Sequence, residues 1–543
     1  MTTSLPVFEL GRPRLDLERV AALAADLLQL RGEVTEDGDR LSVSDENLVL
    51  EVFTASGELF AADRSQLHNP SLRPVLPTPD EAYALARGLM ERHDLAPRTG
   101  DLVELVELGP GGTHVAARAR RRARADRRTR QLDVQARFTL GIRNPGVDSE
   151  PKVLPVIGGG GKLSFTFGDG GRLIGANGGF RPVGDPTFVD ALDVDEAFER
   201  LGSGDTLDRE GAYLAYYLAP GDVGQTVLTP VWVFTSAFDV DHAGGRGRST
   251  VHGRHTFVAA TDRGPVFAQV EEQSERRDRP PAARRPFDRK GARADRAVNP
   301  SEAGTSWVRQ IDQSTPLGGS PANAQGFVDG LSADGWQMNF NWGDLNAWES
   351  DWHSDDDTWV DAADFVFYTG HANQNGWVLC VPGKKQSVLL TPSSVGAAPA
   401  SPGDLYGQND LEWFAVAACG PLQDDVISAG GGDVLSRWDG AFDGLHTMLG
   451  YGAITFDNAD EGRKLARYTR DGMSVIDAWF RTAKEVQPAT NGEAAPDGPD
   501  VWVGAMWVTK AGVDPSGDHI WGHGSVAADP TAPTQLVCMW TTC

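Results

Sequence analysis

Two stretches of the 543-residue chain, 363–371 and 411–420, are almost uninterrupted apolar runs. A strand with one wet face alternates apolar and polar side chains, so a run apolar at both parities must be covered on both faces. Each run is too short for a long helix and therefore predicts a buried strand of a parallel α/β sheet. Each also ends abruptly in a reactive side chain, His371 in the first and Cys419 in the second. In such sheets ligands bind beyond the carboxyl ends of the strands. Neighbouring strands lie ~4.8 Å apart, so the two side chains are expected on one rim, within mutual reach.

A cysteine is mostly protonated at neutral pH and only its thiolate attacks a carbonyl well, so a nearby imidazole is needed to take the proton. Cys419 is thus the candidate nucleophile and His371 the candidate general base and acid. A charge developing on a carbonyl oxygen also needs backbone N–H donors. Each residue has a plain structural alternative: a cysteine ending an apolar strand as core packing, and a histidine near a sheet edge as a satisfied surface group.

The segments Gly370-His371-Ala372 and Ala417-Ala418-Cys419-Gly420, with Trp438 through His446 and Ala478-Trp479, resemble the caspase–gingipain–legumain superfamily of cysteine peptidases (clan CD) in a poorly characterised bacterial branch. The 48 positions between His371 and Cys419 agree with the roughly 50 seen in caspases. The resemblance covers residues 301–543. It implies a caspase-like, mostly parallel sheet flanked by helices, a thiol protease (hydrolase) with a His371/Cys419 dyad, and an oxyanion hole from the backbone of Cys419 and Ala372. Position 372 departs from the pattern, where glycine is usual; a Cβ restricts the backbone there. The implied substrates are peptides or proteins. Members of the superfamily cut after Arg or Lys, or after Asn or Asp. The acidic C-terminal half favours a basic residue on the acyl side, with Asp424 and Asp425, and Trp377, as substrate-pocket candidates.

Upstream, Pro79 with Thr78 as its cap opens a helix over 79–93, and Asp193 opens another over 193–201. Strand-like segments follow at 102–108, 212–218 and 226–234. This predicts α+β units at 1–145 and 146–265, offset by ~115 residues. Ala215-Tyr216-Tyr217 and Leu228 through Phe234 in the second resemble PepSY and related propeptide-type modules. The resemblance implies a zymogen whose N-terminal region packs on or inhibits the catalytic domain. An unrelated α+β domain is the alternative. Residues 266–300, rich in Arg and Pro and almost without apolar side chains between 275 and 296, read as a linker and, with an Arg-preferring enzyme, as an autoprocessing site.

Eight arginines between Arg118 and Arg130 predict a solvated turn between strands, or a basic face docked on the acidic half. The run Gly158 to Gly161 before Lys162 fails the Walker A pattern, because Val156 and Leu163 stand where Gly and Ser or Thr are needed; a flexible turn is expected instead. The net charge is −26, and residues 301–543 hold 32 acidic against 11 basic side chains. Such a field disfavours nucleic acid and anionic membrane as partners.

No apolar run approaches the ~20 residues of a membrane span, and residues 20–30 read as an amphipathic helix rather than an export signal. A cytoplasmic location follows as an expectation, with leaderless export as the alternative. Four cysteines are too few for a disulfide framework. Cys380 is expected as inert core, whereas Cys538 and Cys543 could pair in an oxidising setting. No metal ligands are assigned: His519 and His523 are flanked by Gly522 and Gly524, against a helical metal face. The acidic, Trp-rich segment from Trp342 to Asp361 reads as a solvated loop, a calcium site or a cation-attracting groove. No cofactor is otherwise expected. Two alternatives to hydrolysis stand: a non-enzymatic Trp-rich acidic binding protein, and a peptide ligase or transpeptidase using the same dyad.

Overall fold

The computed structural model describes residues 4–13, 15–98, 100–120, 126–144, 152–201, 207–245, 247–262, 301–312, 314–392, 406–492 and 495–543. The segment 266–300, with its expected processing site, lies outside them. So do Arg121, Arg122 and Arg124 of the arginine cluster.

The chain is a sheet-rich mixture of α and β, and most of its strand pairs are antiparallel. Fifteen strands between Ser4 and Ala259 form one sheet. The units expected at 1–145 and 146–265 share it, because Val134–Asn144 pairs with both Lys152–Ile157 and Lys162–Phe167. Helix Pro79–Arg92 forms where its sequence predicts, with Thr78 and Glu81 in a reciprocal capping box. Helix Val194–Arg200 is capped by Asp193, and Leu17–Leu28 buries Val20, Leu23, Ala24, Leu27 and Leu28. The Gly158 to Gly161 turn is wedged rather than flexible: a Cβ on Gly159 would lie 1.8 Å from the Glu485 carbonyl oxygen.

The second sheet has nine strands. Gln337–Gly343, Glu302–Trp307, Phe365–Thr369, Trp413–Ala417 and Thr447–Tyr451 run parallel in that spatial order. Trp502–Thr509, Gln535–Thr542, Thr113–Ala119 and Arg128–Gln131 then continue it antiparallel. This corrects the expectation of a mostly parallel sheet. An apolar run encodes burial on both faces and carries no information about strand direction.

Strand alternation divides the core into two layers. On one face Phe365, Phe367, Trp413 and Ala415 pack against Phe327, Leu465, Tyr468 and Trp479 of helices Ser320–Ser332, Glu461–Arg470 and Val475–Val486. On the other, Val366, Tyr368, Phe414 and Val416 meet Trp352, Trp377 and Trp438. The Trp-rich acidic segment therefore closes this second face and is not a solvated loop. Trp352 is fully buried, Trp342 and Trp359 nearly so, and Asp361 is 1% exposed with its carboxylate accepting N–H bonds from Gly407 and Asn409. Cys538 packs in this layer and Cys543 in the other. Five positions apart along the last strand and its end, they lie in opposite layers and cannot pair; all four thiols are free.

The N-terminal residues interlock with this sheet. The Thr113–Ala119 strand extends it, and Arg118 on the strand with Arg120 and Arg127 beyond it dock on acidic residues rather than facing water. Arg118 pairs with Asp433 at 3.2 Å, Arg120 with Asp439 at 2.5 Å and Arg127 with Asp424 at 2.5 Å. Lys464 joins Asp222 at 2.7 Å and Arg467 joins Asp39 at 2.5 Å. Among the described residues no helix is long and apolar enough to cross a membrane.

Candidate active site

Strands Phe365–Thr369 and Trp413–Ala417 are adjacent and parallel, with Thr369 opposite Ala417. His371 and Cys419 each lie two residues beyond that pair, so they occupy matched positions on one rim. Their loops stay close: a Cβ on Gly420, whose φ is +76°, would touch Gln374 and Asn373 at 3.4–3.5 Å. Glycine is required at 420 because an L side chain resists that backbone conformation.

The imidazole of His371 is wholly buried, and its Nε2 lies 2.7 Å from the carbonyl oxygen of Thr315. A carbonyl only accepts, so Nε2 carries the proton and Nδ1 keeps its lone pair. Nδ1 has no hydrogen-bond partner. Burial pushes the imidazole down to about 4; it is neutral near pH 7, and the same burial weakens it as a base in this covered state. Cys419 is 2% exposed. Its Sγ receives the Thr455 backbone N–H at 3.3 Å and stands 3.6 Å from Thr455 Oγ1. Burial raises its pKa against the lowering effect of Thr455, so it is a thiol here. Imidazole and thiol share no hydrogen bond in this state.

Residues 236–257, from the N-terminal sheet, close the rim. The Phe238 ring meets the His371 ring edge-on at 5.1 Å between centroids. A Cβ on Gly253 would lie 2.2 Å from Ser236 Oγ and 3.0–3.1 Å from His371 ring atoms. Arg254 donates from Nη1 to the Ala417 carbonyl at 2.9 Å, and the His255 N–H donates to the Thr455 carbonyl at 2.8 Å. Asn373 Nδ2 reaches the Thr250 carbonyl at 3.0 Å. A cavity of about 430 Å3 adjoins this cover, lined by Tyr213, Ser236, Gly253, His255 and Ile454.

The pocket candidates fare differently. Trp377 is core, fully buried and stacked on Trp438 with ring centroids 5.5 Å apart. This corrects its assignment as a pocket wall: its strand, Gly376–Cys380, turns inward beneath the sheet. Asp424 is also fully buried and grips Arg127 through both oxygens, at 2.5 and 3.0 Å, so it faces no open pocket here. Asp425 is exposed, with Oδ1 receiving the Gly432 N–H at 2.9 Å. Ala372 pairs with Trp377 in a short hairpin and has no positive φ. Thr315, Thr455, Phe238 and Gly253 escape sequence reasoning, because they lie tens to more than a hundred positions from the residues they touch and belong to no motif.

Residues 305–542 match the family model described as "Domain of unknown function (DUF6345)". No curated protein matches the chain. Among solved structures, the crystal structure of an uncharacterized protein from Eubacterium rectale ATCC 33656 aligns at 10% identity and TM-score 0.23, covering 49% of this chain and 87% of that one. The matched family segment carries the parallel strands together with both His371 and Cys419.

Proposed function

We propose that residues 301–543 form a caspase-like cysteine peptidase domain, in which His371 Nδ1 takes the proton of Cys419 and the thiolate attacks a peptide carbonyl. The observation that carries this reading is the bond from His371 Nε2–H to the Thr315 carbonyl. It fixes the tautomer that leaves a basic nitrogen on the rim shared with Cys419, the role a third group plays in nucleophile–base systems. The oxyanion would lie at the backbone N–H groups of Cys419 and Ala372.

The enzyme is latent in this state. Residues 236–257 cover the dyad, and burial favours thiol over thiolate, so the N-terminal region acts as an inhibitory propeptide. A preference for basic residues is supported by the charge of residues 301–543, which hold 32 acidic against 11 basic side chains.

The test uses the full chain. Wild-type protein incubated at neutral pH is expected to become nicked within 266–300 and then to hydrolyse fluorogenic peptides with Arg or Lys on the acyl side, while Cys419→Ala stays whole and inactive. Identical gels and no turnover, including after deliberate cleavage of 266–300 by trypsin, would remove the proposal. An aminated or ligated product in the presence of an added amine nucleophile would instead assign the same dyad to transpeptidation.

A further inference from the structure

The opposite end of the same sheet carries a group of titratable side chains. Glu412 and His446 immediately precede strands Trp413–Ala417 and Thr447–Tyr451, whose first residues are paired in register. The His446 and Thr447 N–H groups both donate to the Glu412 carbonyl, at 2.9 and 3.0 Å. This locks the two residues side by side at the entry edge.

His446 is wholly buried, and its Nδ1 lies 2.6 Å from Asp518 Oδ2. The other Asp518 oxygen receives the Ala527 N–H at 2.7 Å. With a carboxylate on Nδ1, a proton sits there, and in the neutral ring Nε2 presents its lone pair. That Nε2 is buried and makes no hydrogen bond. Its nearest charged neighbour, Asp529 Oδ1, is 3.6 Å away, too far for one. One ligand atom each from Glu412, His446 and Asp529 lies within 4.8 Å of the others. Two ligands ~2.1 Å from a shared metal at a tetrahedral angle are about 3.4 Å apart, so the His446–Asp529 separation is that of co-ligands. A carboxylate on the far nitrogen of a ligating histidine is the usual way such rings are oriented.

We propose that Glu412, His446 and Asp529 bind one divalent transition-metal ion, with Asp518 as the positioning residue for the imidazole. One imidazole and two carboxylates suit Zn2+ or Mn2+; calcium calls for six to eight oxygen ligands. The Asp529 side chain is 41% exposed, which gives the ion a way in and leaves coordination positions for water. The ion would tie the loop carrying Asp518 and Asp529 to the entry edge of the sheet. The site lies at the far end of the Cys419 strand, so it stands or falls independently of the peptidase proposal.

The full chain, stripped with EDTA and dialysed, is titrated calorimetrically with ZnCl2 and separately with MnCl2. Uptake of one equivalent of at least one metal, with a raised thermal unfolding midpoint, is expected. Asp529→Asn, altered at a partly exposed position, should keep the metal-free unfolding midpoint and bind about tenfold or more weakly; Asp518→Asn should weaken binding about 10–100-fold. An imidazolium shared between Asp518 and Asp529 would fill the same space with a proton, and predicts no uptake. Either that result, or uptake untouched by both variants, overturns the assignment.

Discussion

Arg254 and Glu461 form an ion pair with both side chains fully shielded from water, Nη2 to Oε1 at 2.9 Å. Glu461 opens helix Glu461–Arg470, and Arg254 comes from the N-terminal sheet. The same guanidinium holds the carbonyls of Ala417 and Phe456. One side chain thus fastens the cover, the Cys419 strand and a core helix together. Replacing Arg254 with Met leaves Glu461 charged and unpaired in the interior, which costs on the order of 3–5 kcal/mol. Urea denaturation should show that loss, and iodoacetamide should label Cys419 faster than in wild type. Unchanged stability would mean that water or another donor already serves Glu461.

Gly253 sits where a side chain would collide with Ser236 and the His371 ring. Its φ is not positive, so the effect of substitution is steric rather than conformational. Gly253→Val is expected to destabilise the protein by about 1–3 kcal/mol and to lift the cover, raising the alkylation rate of Cys419. Rates equal to wild type would show that the segment does not control access.

Arg127 neutralises Asp424, which is otherwise held by the N–H groups of Val426 and Val434 at 2.9 Å each. Arg127→Ala should cost about 3 kcal/mol by leaving a buried carboxylate without its cation. The pair Arg127→Met with Asp424→Leu should recover part of that by removing both charges together, while Asp433, which Arg127 also holds at 3.0 Å, keeps Arg118. A double-mutant cycle measured by denaturant unfolding checks it.

His371 and His255 are both pushed down to about 4 by burial. An unfolded histidine protonates near 6.5, so below that pH the unfolded chain binds protons that the folded chain does not. Stability contributed by the neutral rings is complete above about pH 6.5 and is lost as the pH falls towards 4. The unfolding midpoint should drop over that window, and His255→Gln should flatten the dependence. A midpoint constant from pH 7 to pH 4 would contradict the burial of these rings.

All four cysteines are buried and unpaired. Ellman's reagent should find almost no reactive thiol in the native protein and four after unfolding in guanidinium. Oxidation should not cross-link Cys538 to Cys543 within the folded chain.

Much of the local structure follows from short-range rules. The capping box at Thr78 and Glu81 needs only four residues to be recognised. The apolar runs before His371 and Cys419 specify buried strands, and a shared rim follows once they are neighbours. Tryptophans among acids look exposed in sequence, yet here the rings of Trp342, Trp352 and Trp359 help fill one face of the sheet, and Asp361 bonds to backbone N–H groups. Trp377 follows the rim histidine in sequence, yet its ring lies in that same buried layer. The docking of Arg118, Arg120 and Arg127 was legible as a charge asymmetry, though not as particular pairs.

The sequence by itself determined where the capped helices start, that the two apolar runs are buried strands, and that one ends in an imidazole and the other in a thiol. Those are consequences of side-chain periodicity and capping, which act over a few residues. Tertiary structure alone decided that half the second sheet is antiparallel, that Thr315 orients His371, that Gly253 and Arg254 cover the rim, and that His446 meets Asp518 and Asp529. Each of these joins positions tens to hundreds of residues apart, and such meetings are set by how two sheets pack, which no local pattern encodes.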